Sequence, residues 1–163
     1  MKKLAMFMFV TILALYFNAC NNDEEMDYNT LKINAGEFKD FNYAFSPNLG
    51  FWSPVNETVK MVDLIFGDDQ MNLTEYENKM SILFYYDGTP QVQFPSAEGQ
   101  AILLGLNIDG SIYYFNVQNA TLVIYRLDDF YFEGALTGEF VNQAASTETI
   151  SITMNIRMDL QAL

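Results

Sequence analysis

The sequence predicts an all-β domain, an antiparallel β-sandwich or small β-barrel of roughly eight to nine strands with little helix. Three observations lead there. From Thr30 onward apolar residues alternate with polar ones at period 2, the spacing of a strand with one face on a core. Turn-forming residues recur about every dozen positions. No segment of useful length has helical periodicity.

Residues 31–45 read as a bent extended region and residues 59–66 as a strand. The best helix candidate, 73–80, is short and mostly polar, with Asn72 or Thr74 available as a cap. A strand over 80–86 ends at Asp87-Gly88-Thr89-Pro90. Segments 100–107 and 111–117 flank Asp109-Gly110, a hairpin signal because glycine accepts positive φ. A further strand covers 121–127.

In 130–141, Phe130, Phe132, Gly134, Leu136, Gly138 and Phe140 fall on one face, and Tyr131, Glu133 and Thr137 on the other. Its glycines mark a bulge, a bend or close packing against an aromatic ring. The last segment alternates Ile150, Ile152, Met154, Ile156 and Met158 with polar residues. The small polar stretch 142–148 joins the two as a long hairpin.

The amino terminus has another character. Met1-Lys2-Lys3 is a basic start, followed by fourteen residues, 4–17, that are apolar except for Thr11. That is short of the about 20 residues a bilayer crossing needs, and it has the length of a secretory signal core. An ordinary cleavage site wants small residues at −1 and −3. With Ala19 at −1, position −3 is Phe17, a poor fit.

Phe17-Asn18-Ala19-Cys20 instead resembles the lipobox of bacterial lipoproteins, in which the cysteine at +1 becomes acylated. It departs from the common pattern at Phe17 and Asn18. The bland alternative for Cys20 is a small buried residue. Against that reading, Cys20 is the only cysteine and falls where the apolar run ends. Asp23, Glu24 and Glu25 follow directly. They form an acidic tether that also resembles the surface-export signal of Bacteroidetes-type lipoproteins. The expected organisation is a signal peptide over 1–19, an acidic tether over 20–29 and an antiparallel β domain over 30–163. The resemblance implies an outer-membrane, lipid-anchored protein at the cell surface, with the periplasmic face as the alternative. The spacing F-x-F-x-G-x-L-x-G-x-F over 130–140 is similar to closing hairpins in small β-sandwich lipoproteins of the same bacteria, which adds a fold and no function.

Charge narrows the partners. Removing Lys2 and Lys3 with the signal leaves 6 of the 8 basic residues against 21 acidic ones, a net −15. Nucleic-acid affinity rests on Lys and Arg neutralising phosphates, so no nucleic-acid partner is expected. The absence of histidine and the commitment of Cys20 to lipid exclude Ser-His-Asp and Cys-His nucleophilic sites. They also exclude zinc sites built from His and Cys.

Carboxylate chemistry survives that exclusion. Asp68-Asp69 and Asp128-Asp129 are adjacent pairs, yet successive strand residues point to opposite faces, so they read as turns or solvated edges. Asp68, Gln70, Asn72 and Thr74 alternate like calcium ligands, but an EF-hand needs Gly sixth and Glu twelfth, where Leu73 and Lys79 stand. Asn56, Asn72 and Asn119 head glycosylation sequons that are incidental in a bacterial protein. Neither a metal nor another cofactor is expected.

The stretch 46–54 reads as a Pro/Gly/Ser-rich loop carrying Phe51 and Trp52, the only tryptophan. Loop aromatics can stack on sugars or peptides; alternatively they plug the end of the domain. The leading expectation is a membrane-tethered, non-enzymatic binding or interaction module, with Phe51 and Trp52 as ligand-binding residues. Its partner would be a glycan or an extracellular protein. The rivals are a carboxylate-based carbohydrate-active enzyme, a structural subunit of a surface assembly, and a lipocalin-like carrier of small apolar ligands.

Overall fold

A computed structural model describes residues 27–46, 48–67, 78–96, 99–145 and 147–163. Ten strands account for nearly all of the regular structure: β1 (Thr30–Ala35), β2 (Asn42–Ala44), β3 (Asn48–Pro54), β4 (Lys60–Gly67), β5 (Asn78–Tyr86), β6 (Gln91–Phe94), β7 (Ala101–Ile108), β8 (Ser111–Leu127), β9 (Tyr131–Asn142) and β10 (Thr149–Ala162). No helix occurs among the described residues. The expected all-β class is the observed one, and of its two forms the barrel is adopted.

Seven strands close a ring in the order β10, β3, β4, β5, β7, β8, β9 and back to β10. Strands that alternate in direction can close only in even number, so a ring of seven needs one parallel pair. That pair is β10–β3, with Leu160 opposite Gly50 and Ala162 opposite Trp52. β1 and β2 continue from the first half of β10, and β6 lies along the second half of β8.

A barrel this narrow has room only for side chains, and its inward positions are apolar. Phe66, Phe84, Phe115, Phe132 and Phe140 are fully buried. Phe84 on β5 and Phe132 on β9, strands on opposite sides of the ring, meet with ring centroids 6.0 Å apart in edge-to-face contact. The interior is packed, with the geometry aromatic pairs prefer.

Several elements differ from their sequence readings. The strands expected at 111–117 and 121–127 are one strand, β8, with register shifts at Val117/Asn119 and Ile124/Arg126. The two bulges let a 17-residue strand coil around the barrel without breaking. Both fall against β9 where its glycines sit. A Cβ at Gly138 would come 2.4 Å from that of Ala120, and one at Gly134 2.5 Å from the Val123 carbonyl and 2.9 Å from the Phe132 ring. Bulge and aromatic packing, two of the roles expected of these glycines, are both present.

Asp109 and Gly110 have φ of 53° and 82°, as a type I′ hairpin turn requires. Asn78, Lys79 and Met80, part of the helix candidate, are strand in β5; the rest of it lies outside the described residues. Phe130, placed by alternation on the core face, sits in the turn before β9 and is 79% exposed. Thr149 to Asp159 pair with Val141 to Tyr131, so the long closing hairpin is as expected.

Candidate functional site

Cys20, Asp23, Glu24 and Glu25 lie outside the described residues, as do Asp68, Asp69, Gln70, Asn72 and Thr74. The described chain begins on the outer face of β10. Asn29, at φ 57°, exchanges side-chain hydrogen bonds with the Arg157 backbone at 2.8 and 3.0 Å. The Tyr28 hydroxyl donates to Glu133 Oε1 at 2.9 Å, and Arg157 Nη2 donates to both oxygens. The Arg157 guanidinium lies 3.7 Å over the Tyr28 ring. Hydrogen bonds from Arg157 and Tyr28 hold the Glu133 carboxyl below the ordinary carboxylate range. This clamp fixes where the described chain joins the barrel.

The expected loop at 46–54 is instead largely β3. Gly50, which reads as a turn residue, is there because β10 runs close by: a Cβ would come 2.4 Å from Leu160 Cδ2 and 3.0 Å from the Asp159 carbonyl. Phe51 and Trp52 are separated by the strand's alternation. Trp52 stands opposite the buried Val62 and turns toward the barrel interior, half-buried at one end. Its Nε1 donates to the Asp129 carbonyl at 2.9 Å, and Lys60 Nζ lies 4.4 Å from the ring centroid. Phe51 stands opposite Asp63 on the outer face. The two are therefore not a joint aromatic platform.

Trp52→Ala removes packing, a hydrogen bond and the Lys60 contact together. A melt should show a loss of about 2–3 kcal/mol, below the range for fully buried tryptophan because the ring is only partly buried. An unchanged melting temperature would contradict an end-plugging role.

Asp128 and Asp129 are drawn to separate cations. Asp128 pairs with Arg126 at 2.6 Å and accepts the Phe130 backbone N–H at 2.9 Å. Asp129 pairs with Lys60. Asp87 accepts the Thr89 N–H, and Asn56 caps its own turn through Thr58 and Val59. These are turn-forming roles. No group of three or more potential metal-ligating side chains occurs among the described residues.

A site that the sequence reading missed lies on the outside of the barrel. β9 and β10 present Thr137, Glu139, Ser151, Thr153, Asn155 and Arg157 outward, whereas the opposite side presents Leu49, Phe51, Ile65, Leu83, Leu103 and Tyr114. Within that side is a groove of about 390 Å³ lined by Ile65, Leu103, Tyr114, Lys79, Ser81 and Gln143, among others. Gly105 forms its floor, and a Cβ there would come 3.3 Å from Tyr114 Cε1, so the ring rests on the glycine. Leu103 is 64% and Tyr114 44% exposed. Gln143 Nε2 donates to Asn116 Oδ1 at 3.0 Å, and its backbone N–H donates to the Tyr114 carbonyl at 2.8 Å. An apolar cleft with a few fixed polar groups is the usual form of a small-ligand site.

Asp63 lies in the same face, in a row between Phe51 and Leu83. Burial among these side chains raises its pKa, partly opposed by the Ser81 hydroxyl, which donates to it at 3.1 Å, and by the charge of Lys79. A carboxyl raised in the folded state contributes stability fully below its unfolded value and loses it as pH rises through the folded value. Asp63→Asn should therefore raise the melting temperature at pH 7, with the gain shrinking as pH falls through the raised folded value and gone well below about 4. An equal gain at both pH values would contradict a charge-desolvation origin.

Fold and groove define a closed, filled, seven-stranded β-barrel with its concave surface outside. Searches for a matching family model, curated protein or solved structure found none.

Proposed function

We propose that the chain is a lipid-anchored, cell-surface binding module without enzymatic activity, held through Cys20, that takes its ligand in the outer groove around Tyr114. The observation that carries this reading is the distribution of apolar side chains. The interior, where a carrier would hold its ligand, is filled by phenylalanines, and the described surface offers an apolar groove outside. That filling weighs against a lipocalin-like carrier, which needs an apolar lumen. The separate ion pairing of Asp128 and Asp129 weighs against their service as a hydrolytic pair, which needs two convergent carboxyls.

The groove suits a glycan unit. The exposed face of Tyr114 offers stacking for the apolar face of a sugar ring, and Ser81, Lys79 and Gln143 offer polar contacts to its hydroxyls. Anchoring follows from chain number: one acyl chain binds a bilayer marginally, while two or three hold stably.

Two measurements test the reading. Fatty-acid labelling in cells should mark the wild type and spare Cys20→Ala; label in both would overturn lipidation at Cys20. Binding to a glycan array should be lost in Tyr114→Ala with little change in melting temperature. Retained binding, or binding lost only with unfolding, would move the site elsewhere.

A further inference from the structure

The end of the barrel that holds Trp52 carries large apolar groups in solvent. Phe130 is 79% exposed, Leu163 74% and Val55 53%. They form one neighbourhood. Trp52 Nε1 bonds the carbonyl of Asp129, next to Phe130, while the Leu163 N–H donates to the Trp52 carbonyl. The Leu160 N–H donates to the Phe130 carbonyl, and the Val55 N–H closes the neighbouring turn on Val59. A phenylalanine at the tip of a two-strand turn contributes nothing to the core, and in a monomer in water its exposure is unfavourable.

We propose that this end docks on the membrane, with Phe130 and Val55 entering the headgroup boundary and Trp52 at its level. The inference rests on the proposed anchor at Cys20. It is carried by where the described chain begins: Tyr28 is clamped to Glu133 and Arg157, three residues along β9 and β10 from Phe130 and Leu160. The eight residues from Cys20 to Tyr28 span at most about 28 Å even when fully extended, so an acylated Cys20 holds a bilayer within reach of this end.

Its chemistry fits a lipid surface. Tryptophan beside a cation is a common pairing at membrane interfaces, and here Lys60 stacks on Trp52. Asp128 and Asp129, the two acids directly before Phe130, are each ion-paired, to Arg126 and Lys60. That reduces the repulsion that the net −15 of the mature chain would otherwise bring to the contact. Docked this way, the barrel holds the Tyr114 groove, which lies toward the other end of β5, β7 and β8, away from the bilayer and open to solvent ligands.

Because the chain has one tryptophan, Trp52 reports directly. The full-length protein, purified from a bacterial host that acylates lipoproteins, is reconstituted into phosphatidylcholine vesicles with a quencher at a shallow or a deep acyl position. Mass spectrometry of the amino-terminal peptide reads Cys20. With Cys20 acylated, Trp52 emission should fall with the shallow quencher more than with the deep one. Phe130→Ser, a change at an exposed position that leaves the melt unchanged, should reduce that quenching. Acylated, vesicle-bound protein with unquenched Trp52, or quenching indifferent to Phe130→Ser, would overturn the docking. An unmodified Cys20 would overturn it through the anchor it rests on, and the mass distinguishes the two failures.

Discussion

Phe132→Ala should cost about 3–5 kcal/mol, the range for deleting a fully buried aromatic side chain. At the usual 2–4 °C per kcal/mol for a domain of this size, the melting temperature should fall by about 10 °C. The reason is the position of the ring. Phe132 is fully buried on β9 and meets Phe84 from across the barrel at 6.0 Å, so its loss opens a cavity in the centre that surrounding strands cannot close. Calorimetry or a thermal melt by near-ultraviolet dichroism reads the change. A small loss accompanied by new binding of apolar dyes in the wild type would indicate a hollow barrel and revive the carrier reading.

Gly138→Val should destabilise by about 3 kcal/mol or more, at the upper end for overpacking, because two of the three obstructing atoms are backbone. A Cβ there would come 2.4 Å from the Ala120 Cβ and 2.8 Å from the Asn119 carbonyl. β8 and β9 pair over eleven residue positions, and separating them at Gly138 opens the ring at one of its two longest seams. Gly138→Ala should be milder, and Ala120→Gly should restore part of its loss, since it removes the closest of the three collisions and leaves those with the Ala120 Cα and the Asn119 carbonyl. A double-mutant cycle with no coupling between these positions would contradict this close approach.

The fold class was legible because most strands of a filled barrel are wet on one face, which stamps period 2 on the sequence. Ile150 to Met158 is the clearest case. Closure was not legible. It depends on the parallel contact between Gly50 and Leu160, residues far apart in sequence with no local signature. For the same reason β3 read as a loop: its Pro, Gly and Ser suit turns, whereas Gly50 is required by the neighbour strand. β6 was missed because four residues after Pro90 are too few to establish a period. Phe130 followed the alternation of its strand but fell one residue outside it.

The candidate site was less legible than the fold. Phe51 and Trp52 attracted attention as adjacent aromatics, and adjacency in a strand sends them to opposite faces. The groove is assembled from β4, β5, β7 and β8, with Gln143 from the β9–β10 turn, so no short window contains it. One signal was present. Ile102, Leu103 and Leu104 run without a polar interruption, and in a strand half exposed to water one of the three must face outward. Leu103 does.

The most direct test of the whole reading is protease accessibility of the domain on intact bacterial cells, with a permeabilised control and Cys20→Ala in parallel. A surface lipoprotein predicts digestion on intact cells and loss of the cell-associated protein in the Cys20→Ala strain. Protection until permeabilisation would contradict surface display, leave the acidic residues Asp23 to Glu25 as a plain tether, and move the search for the groove's ligand to the periplasm.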